Sequence, residues 1–169
     1  AGAGHDRVAL IHRRTGATTS LTLVGTGVGP LKAPRGVTVT AAGTLVIADT
    51  GNRRVVWSSA TVEEITTGNA PAGGWSAFGT ASVDGSRAVG DFLAPTGVAC
   101  DAEGRTWITD PGLARLVVVD GPTGAGWADV ALPPRADGIP RQPYAVARDG
   151  DRVLLTDVSA GEVWRVDPD

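Results

Sequence analysis

Three aspartates, Asp49, Asp110 and Asp157, each close a short apolar run and lie a few residues ahead of a charged side chain. Carboxylates at matched positions could ligate a metal or act as general acid and base. A shared ion, however, needs ligands that converge, and residues that recur once per repeat stand apart. A structural role fits better: an aspartate at a strand end accepts backbone N–H groups in the next turn. Arg7, Arg54 and Arg115 form a second column, interrupted by Glu162. They could bind anions, but bracing a neighbouring loop or carboxylate is the expected role. His5 and His12 are the two histidines. They have no Cys at metal-ligand spacing and no Gly-x-Ser-x-Gly elbow elsewhere to serve. Cys100 stands among small apolar residues and reads as packing rather than as a reactive thiolate. Gly25-Thr-Gly-Val-Gly29 lacks the Lys and the helix of a phosphate loop. No catalytic residue, metal site or cofactor is expected.

A second set of residues could do binding chemistry. Asp49 and Pro95 are 46 residues apart, against 32 between Gly2 and Pro34 and 33 between Asp110 and Pro143. About fourteen residues are therefore extra, and they fall within 67–94. Long connections in compact domains tend to carry function. This one holds Trp75, Phe78, Asp84, Arg87 and Asp91. Strand parity in a four-stranded antiparallel unit puts it on one face with the turn at Thr50–Arg53 and the connection 133–142. The expected binding face therefore comprises Trp75, Phe78, Asp84, Arg87, Arg53 and Arg141.

The elements that position these residues repeat. Pro34-Arg-Gly-Val-Thr-Val-Thr, Pro95-Thr-Gly-Val-Ala-Cys-Asp and Pro143-Tyr-Ala-Val-Ala-Arg-Asp align. So do the segments after them, ending in Trp57, Val118 and Trp164. The start of the chain, up to Val8, matches the segment 48–55 as a fourth copy entered halfway. The aspartate column stands at 2 (a glycine), 49, 110 and 157, a period near 47. Short β-rich runs punctuated by Gly, Asp and Pro predict four strands per period, a to d from hub to rim, as in a propeller blade. Strand a is expected at 36–40, 97–100 and 145–147. Strand d is expected at 18–24, 61–66 and 127–131. The chain then divides into a partial blade 1–33, blades 34–94 and 95–142, and a partial blade 143–169.

The strings Leu45-Val-Ile-Ala-Asp-Thr-Gly-Asn-Arg-Arg-Val55 and Pro95-x-Gly-Val-Ala-Cys-Asp101 resemble NHL repeats. The resemblance covers most of the chain and is strongest around Asp49. It implies an all-β fold, a β-propeller of four-stranded antiparallel blades. It also implies use as a binding platform for protein or RNA, or as an extracellular sensor; related propellers include metal-dependent lyases and lactonases. Three periods fall short of the commonly six blades of that family. Either the chain self-assembles to complete a propeller, or it docks on the rest of a longer protein.

Composition narrows the function further. The chain has 169 residues, a net charge of −3 and 42% hydrophobic residues. It has no eighteen-residue apolar run, which excludes a membrane-spanning helix. The acidic balance argues against nucleic acid as partner. With no Met at all, the chain reads as a processed product or a piece of something longer. The expected function is a non-catalytic module that engages a protein partner within a larger, favoured as extracellular or surface, assembly. A metal-dependent propeller lyase or hydrolase is the alternative, and an RNA-binding NHL domain a further one.

Overall fold

A computed structural model describes residues 6–21, 23, 27–71, 73–150 and 152–167. The strands in chain order are β1 (Val8–Ile11), β2 (Thr18–Leu21), β3 (Gly36–Val39), β4 (Thr44–Asp49) and β5 (Arg54–Thr61). The helix α1 (Val62–Thr67) follows. Then come β6 (Trp75–Phe78), β7 (Thr80–Ala81), β8 (Asp91–Phe92), β9 (Val98–Cys100), β10 (Thr106–Asp110), β11 (Arg115–Val119) and β12 (Ala128–Val130). The chain closes with β13 (Pro143–Asp149), β14 (Arg152–Asp157) and β15 (Glu162–Val166). Two complete four-stranded antiparallel sheets form, β3-β4-β5-β6 and β9-β10-β11-β12. The β1-β2 hairpin precedes them and the three-stranded β13-β14-β15 sheet follows. Each sheet runs in sequence order, as a blade does. Strand a lies where the repeats put it in all three later copies.

In the first complete blade strand b, β4, is buried on both faces, so Leu45–Ala48 is continuously apolar instead of alternating. In β4, Leu45 and Ile47 face the β1-β2 hairpin and pack with Val8, Leu21, Leu23 and Leu31. Val46 and Ala48 face the other way and join Val98, Cys100, Ile108 and Val117 of the next blade. Trp107 and Leu116 then meet Val153 and Leu155 of the last. The blades thus share three interleaved apolar layers, each built from period-two side chains of two neighbours.

Close approach of the inner strands rests on glycine. A Cβ on Gly97 would stand 2.7 Å from the Tyr144 carbonyl oxygen and 2.8 Å from Thr109 Oγ1. Gly36 is similarly crowded by the Thr96 carbonyl oxygen. The glycine of the Pro-x-Gly-Val string is therefore a blade-to-blade contact.

Strand d of the blade 34–94 differs from expectation. Residues 61–66 do not form it; Thr61 ends β5 and caps α1, and Trp75–Phe78 is the outer strand, pairing Phe78 with Val55 and Trp75 with Ser58. The cause is a capping box. Thr61 Oγ1 accepts the Glu64 N–H at 3.2 Å, while Glu64 Oε2 accepts the Thr61 N–H at 2.8 Å. Gly68 at φ +76° ends the helix. The string Thr61-x-x-Glu64 carried that signal.

Candidate functional site

The aspartate column is a brace. Asp49, Asp110 and Asp157 are fully buried. Asp49 Oδ1 accepts the Lys32 N–H at 2.7 Å, and its Oδ2 accepts from Asn52 Nδ2 and Arg54 Nε, both at 2.7 Å. Asp110 accepts the Ala94 N–H at 2.8 Å and the Leu93 N–H at 3.0 Å. Asp157 accepts the Gln142 N–H at 3.1 Å, Ser159 Oγ at 2.7 Å and Arg141 Nη1 at 2.9 Å. The recurrent donors lie in the connection that enters the same blade. The b–c turn supplies a backbone donor only at Asp157, through the Ser159 N–H at 3.0 Å, which corrects the expectation of turn N–H donors throughout. A strand-end carboxylate tethering the incoming chain explains why one recurs per blade. Burial pushes the Asp157 carboxyl up, but Ser159, Arg141 and the Gln142 N–H outweigh it and hold the group below the usual carboxylate range.

The arginine column ties the same connection. Arg54 donates to the carbonyls of Val28 and Pro30. Arg115, fully buried, donates to the carbonyls of Arg87 and Asp91 and to Asp129 Oδ1 at 3.3 Å. Its guanidinium also lies against Trp127, 5.1 Å from the ring centroid. In the last blade, where Glu162 breaks the column, Arg141 supplies the cation from the incoming connection. It bonds Asp157, reaches Glu162 Oε2 at 3.2 Å and stacks on Trp164 at 4.0 Å. Arg141 is thus a half-buried brace as well as a loop residue. Asp101, the carboxylate nearest the inner strands, is used by Trp107 Nε1 at 2.8 Å and Arg105 Nε at 2.7 Å. Cys100 is buried, which pushes its thiol up, away from thiolate reactivity. His12 Nδ1 faces its own turn, 3.0 Å from Thr15 Oγ1. His5 lies outside the described residues, as do Gly25 and Thr26 of the Gly25–Gly29 string. Among the described residues no three His, Cys, Asp or Glu side chains gather as a metal site would require.

The extra residues divide between two faces. Helix α1 and the chain up to Gly74 form the c–d connection, on the face opposite the b–c turns. Trp75 begins β6 at that far end, half-buried against the layer shared by Leu45, Ile47 and Val56. Phe78 ends β6 at the near end, half-buried and edge-on to Trp127 at 5.8 Å between centroids. Neither is a loop residue, because residues 75–78 complete the sheet after the helix consumes 62–67.

The remaining part, 79–97, does lie with the b–c turns. Its base is clamped by parallel pairing of β7 with β8. Asp91 accepts from Ser86 Oγ, which lowers its carboxyl, and from Thr80 Oγ1 at 3.1 Å. Ser82 Oγ donates to the Ser86 carbonyl at 2.8 Å. Above this base Val83 and Val89 are 69% and 64% exposed, and Asp84 is exposed at φ +52°. Arg53 Nη1 donates to the Ser82 carbonyl at 3.5 Å; Arg87 bonds the Leu113 carbonyl at 2.5 Å and Asp129 at 3.3 Å. The structure therefore groups Arg53, Asp84 and Arg87 and adds Val83 and Val89, which sequence reasoning missed. Two valines within a Gly- and Ser-rich segment were the available signal.

No family model and no curated protein matches the chain. Solved structures do. A catalytically inactive virginiamycin B lyase from Staphylococcus aureus, solved with quinupristin, is 16% identical with a TM-score of 0.61, over 96% of this chain and 46% of that one. A chain of the nidogen/laminin complex is 17% identical with a TM-score of 0.64, over 96% and 51%. Luciferin-regenerating enzyme is 16% identical with a TM-score of 0.63, over 90% and 48%. The fold is that of a β-propeller. The chain spans about half the length of these proteins. They include enzymes and a protein complex, so the fold leaves activity open. No helix among the described residues is long and apolar enough to cross a membrane.

Proposed function

We propose that the chain is an NHL-type propeller module that binds a protein partner through the clamped 80–92 loop and performs no catalysis. One observation carries this: the loop holds two bare valines, Val83 and Val89, flanking Asp84 and Arg87 on a base rigid enough to lower the ordering cost of docking. The column carboxylates support the same reading, since buried N–H groups and arginines already occupy them. The inner half of the first complete blade adds a second contact: Val37 and Val39 are 40% and 53% exposed beside buried Leu45 and Ile47. Further blades, from a second copy or from a longer chain, would cover them.

The test uses the full chain as bait in quantitative affinity purification, alongside the Val83→Asp/Arg87→Glu variant. A protein retained by the wild type and lost from the equally folded variant supports the module. One tightly held divalent ion per chain in elemental analysis would overturn it in favour of a metal-dependent lyase or hydrolase. Binding of a structured RNA that weakens steeply with salt would favour the RNA-binding alternative.

A further inference from the structure

On the opposite face, and independent of the loop above, an open hollow of about 480 Å³ lies between the β1-β2 turn and α1. Leu10, Ile11, Ala17 and Thr19 form one wall; Val62 and Thr66 of α1 form the other. Ile11 is 70% exposed, the most exposed large apolar side chain among the described residues. The wall that α1 supplies exists because of the extra residues in this blade, and its capping box fixes it. A shallower recess adjoins, lined by Ile11, His12, Arg13 and Arg14. Among the described residues neither Arg13 nor Arg14 has an ion pair or hydrogen bond. By contrast Arg54, Arg87, Arg105, Arg115, Arg135, Arg141, Arg152 and Arg165 each face a carboxylate. Two free guanidinium groups at the rim of an apolar hollow are complementary to an anion attached to an apolar group.

We propose that this hollow docks a short protein segment bearing a large apolar side chain flanked by carboxylates. The apolar side chain covers Ile11 between the hairpin and α1, and the carboxylates meet Arg13 and Arg14. Area sets the strength: one buried leucine or phenylalanine with two rim ion pairs gives weak binding, on the order of a millimolar to a few hundred micromolar.

The test is selection of a random peptide library displayed on phage against the full chain, counter-selected on Arg13→Glu/Arg14→Glu. Enriched sequences are expected to place Leu, Ile or Phe within three positions of Asp or Glu. Synthetic versions should bind the wild type and weaken about tenfold or more on Ile11→Ser and on Arg13→Glu/Arg14→Glu. Arg148→Glu should leave them unaffected. Ile11, Arg13 and Arg14 are exposed, so melting temperatures should hold. No enrichment, enrichment without acidic residues, or equal binding to both variants would overturn the proposal. So would binding of decanoate where no peptide binds, which would make the hollow an amphiphile site.

Discussion

Arg141 reaches the buried carboxylate of Asp157 at 2.9 Å from the connection ahead of its blade, whereas Asp49 takes Arg54 from the strand that follows it. The same ion pair is built from opposite directions, because Glu162 occupies the position that Arg54 and Arg115 hold.

The exchange is testable by a double-mutant cycle. Arg141→Ala should destabilise the chain by about 3 kcal/mol, since it strips a buried carboxylate of its cation. Glu162→Arg alone should also destabilise, by placing a second guanidinium beside the first. The double variant should recover at least about 1 kcal/mol relative to additivity, read from urea midpoints. Strict additivity would show that the two positions do not share Asp157.

Gly97→Ala should lower stability by about 1–3 kcal/mol, because the new methyl meets backbone oxygen rather than a flexible side chain. Ala145→Gly, at the matching position of the last blade, should change it by less than about 1 kcal/mol. Calorimetry of both variants decides; an unperturbed Gly97→Ala protein would mean that the blades can move apart without cost.

Trp75→Ala should cost about 2 kcal/mol, less than the roughly 3–5 of a fully buried aromatic, since the side chain is half-buried. It should leave any ligand of the 80–92 loop unaffected, as Trp75 stands at the other end of β6. Unchanged stability with lost binding would instead make Trp75 a contact residue.

Stability should fall in acid partly through Asp157. Its folded carboxyl titrates below the ordinary value of about 3.9, so the unfolded chain takes up the proton first. The contribution is present above about pH 4 and is lost as pH falls toward the folded value. Asp157→Asn should be less stable at neutral pH and should lose less stability between about pH 5 and pH 3. Parallel pH profiles for the two proteins would refute the linkage.

The sequence by itself determined the repeat and the strand order within each blade, because these follow from local patterns. Doubly apolar Leu45-Val-Ile-Ala announces a strand buried on both sides, and Pro-x-Gly-Val announces an inner strand. The turn grouping of Arg53 with Arg87 was also legible, since antiparallel parity is a counting rule. Tertiary structure alone decided where the extra residues went. A six-residue helix and a later outer strand satisfy the same spacing as one long loop, and only pairing of Phe78 with Val55 selects between them. It also decided what each column residue touches. Lys32 lies seventeen residues before Asp49 and Arg141 sixteen before Asp157. No local pattern marks such donors, because the blade's closure, not sequence proximity, brings their atoms to the carboxylate.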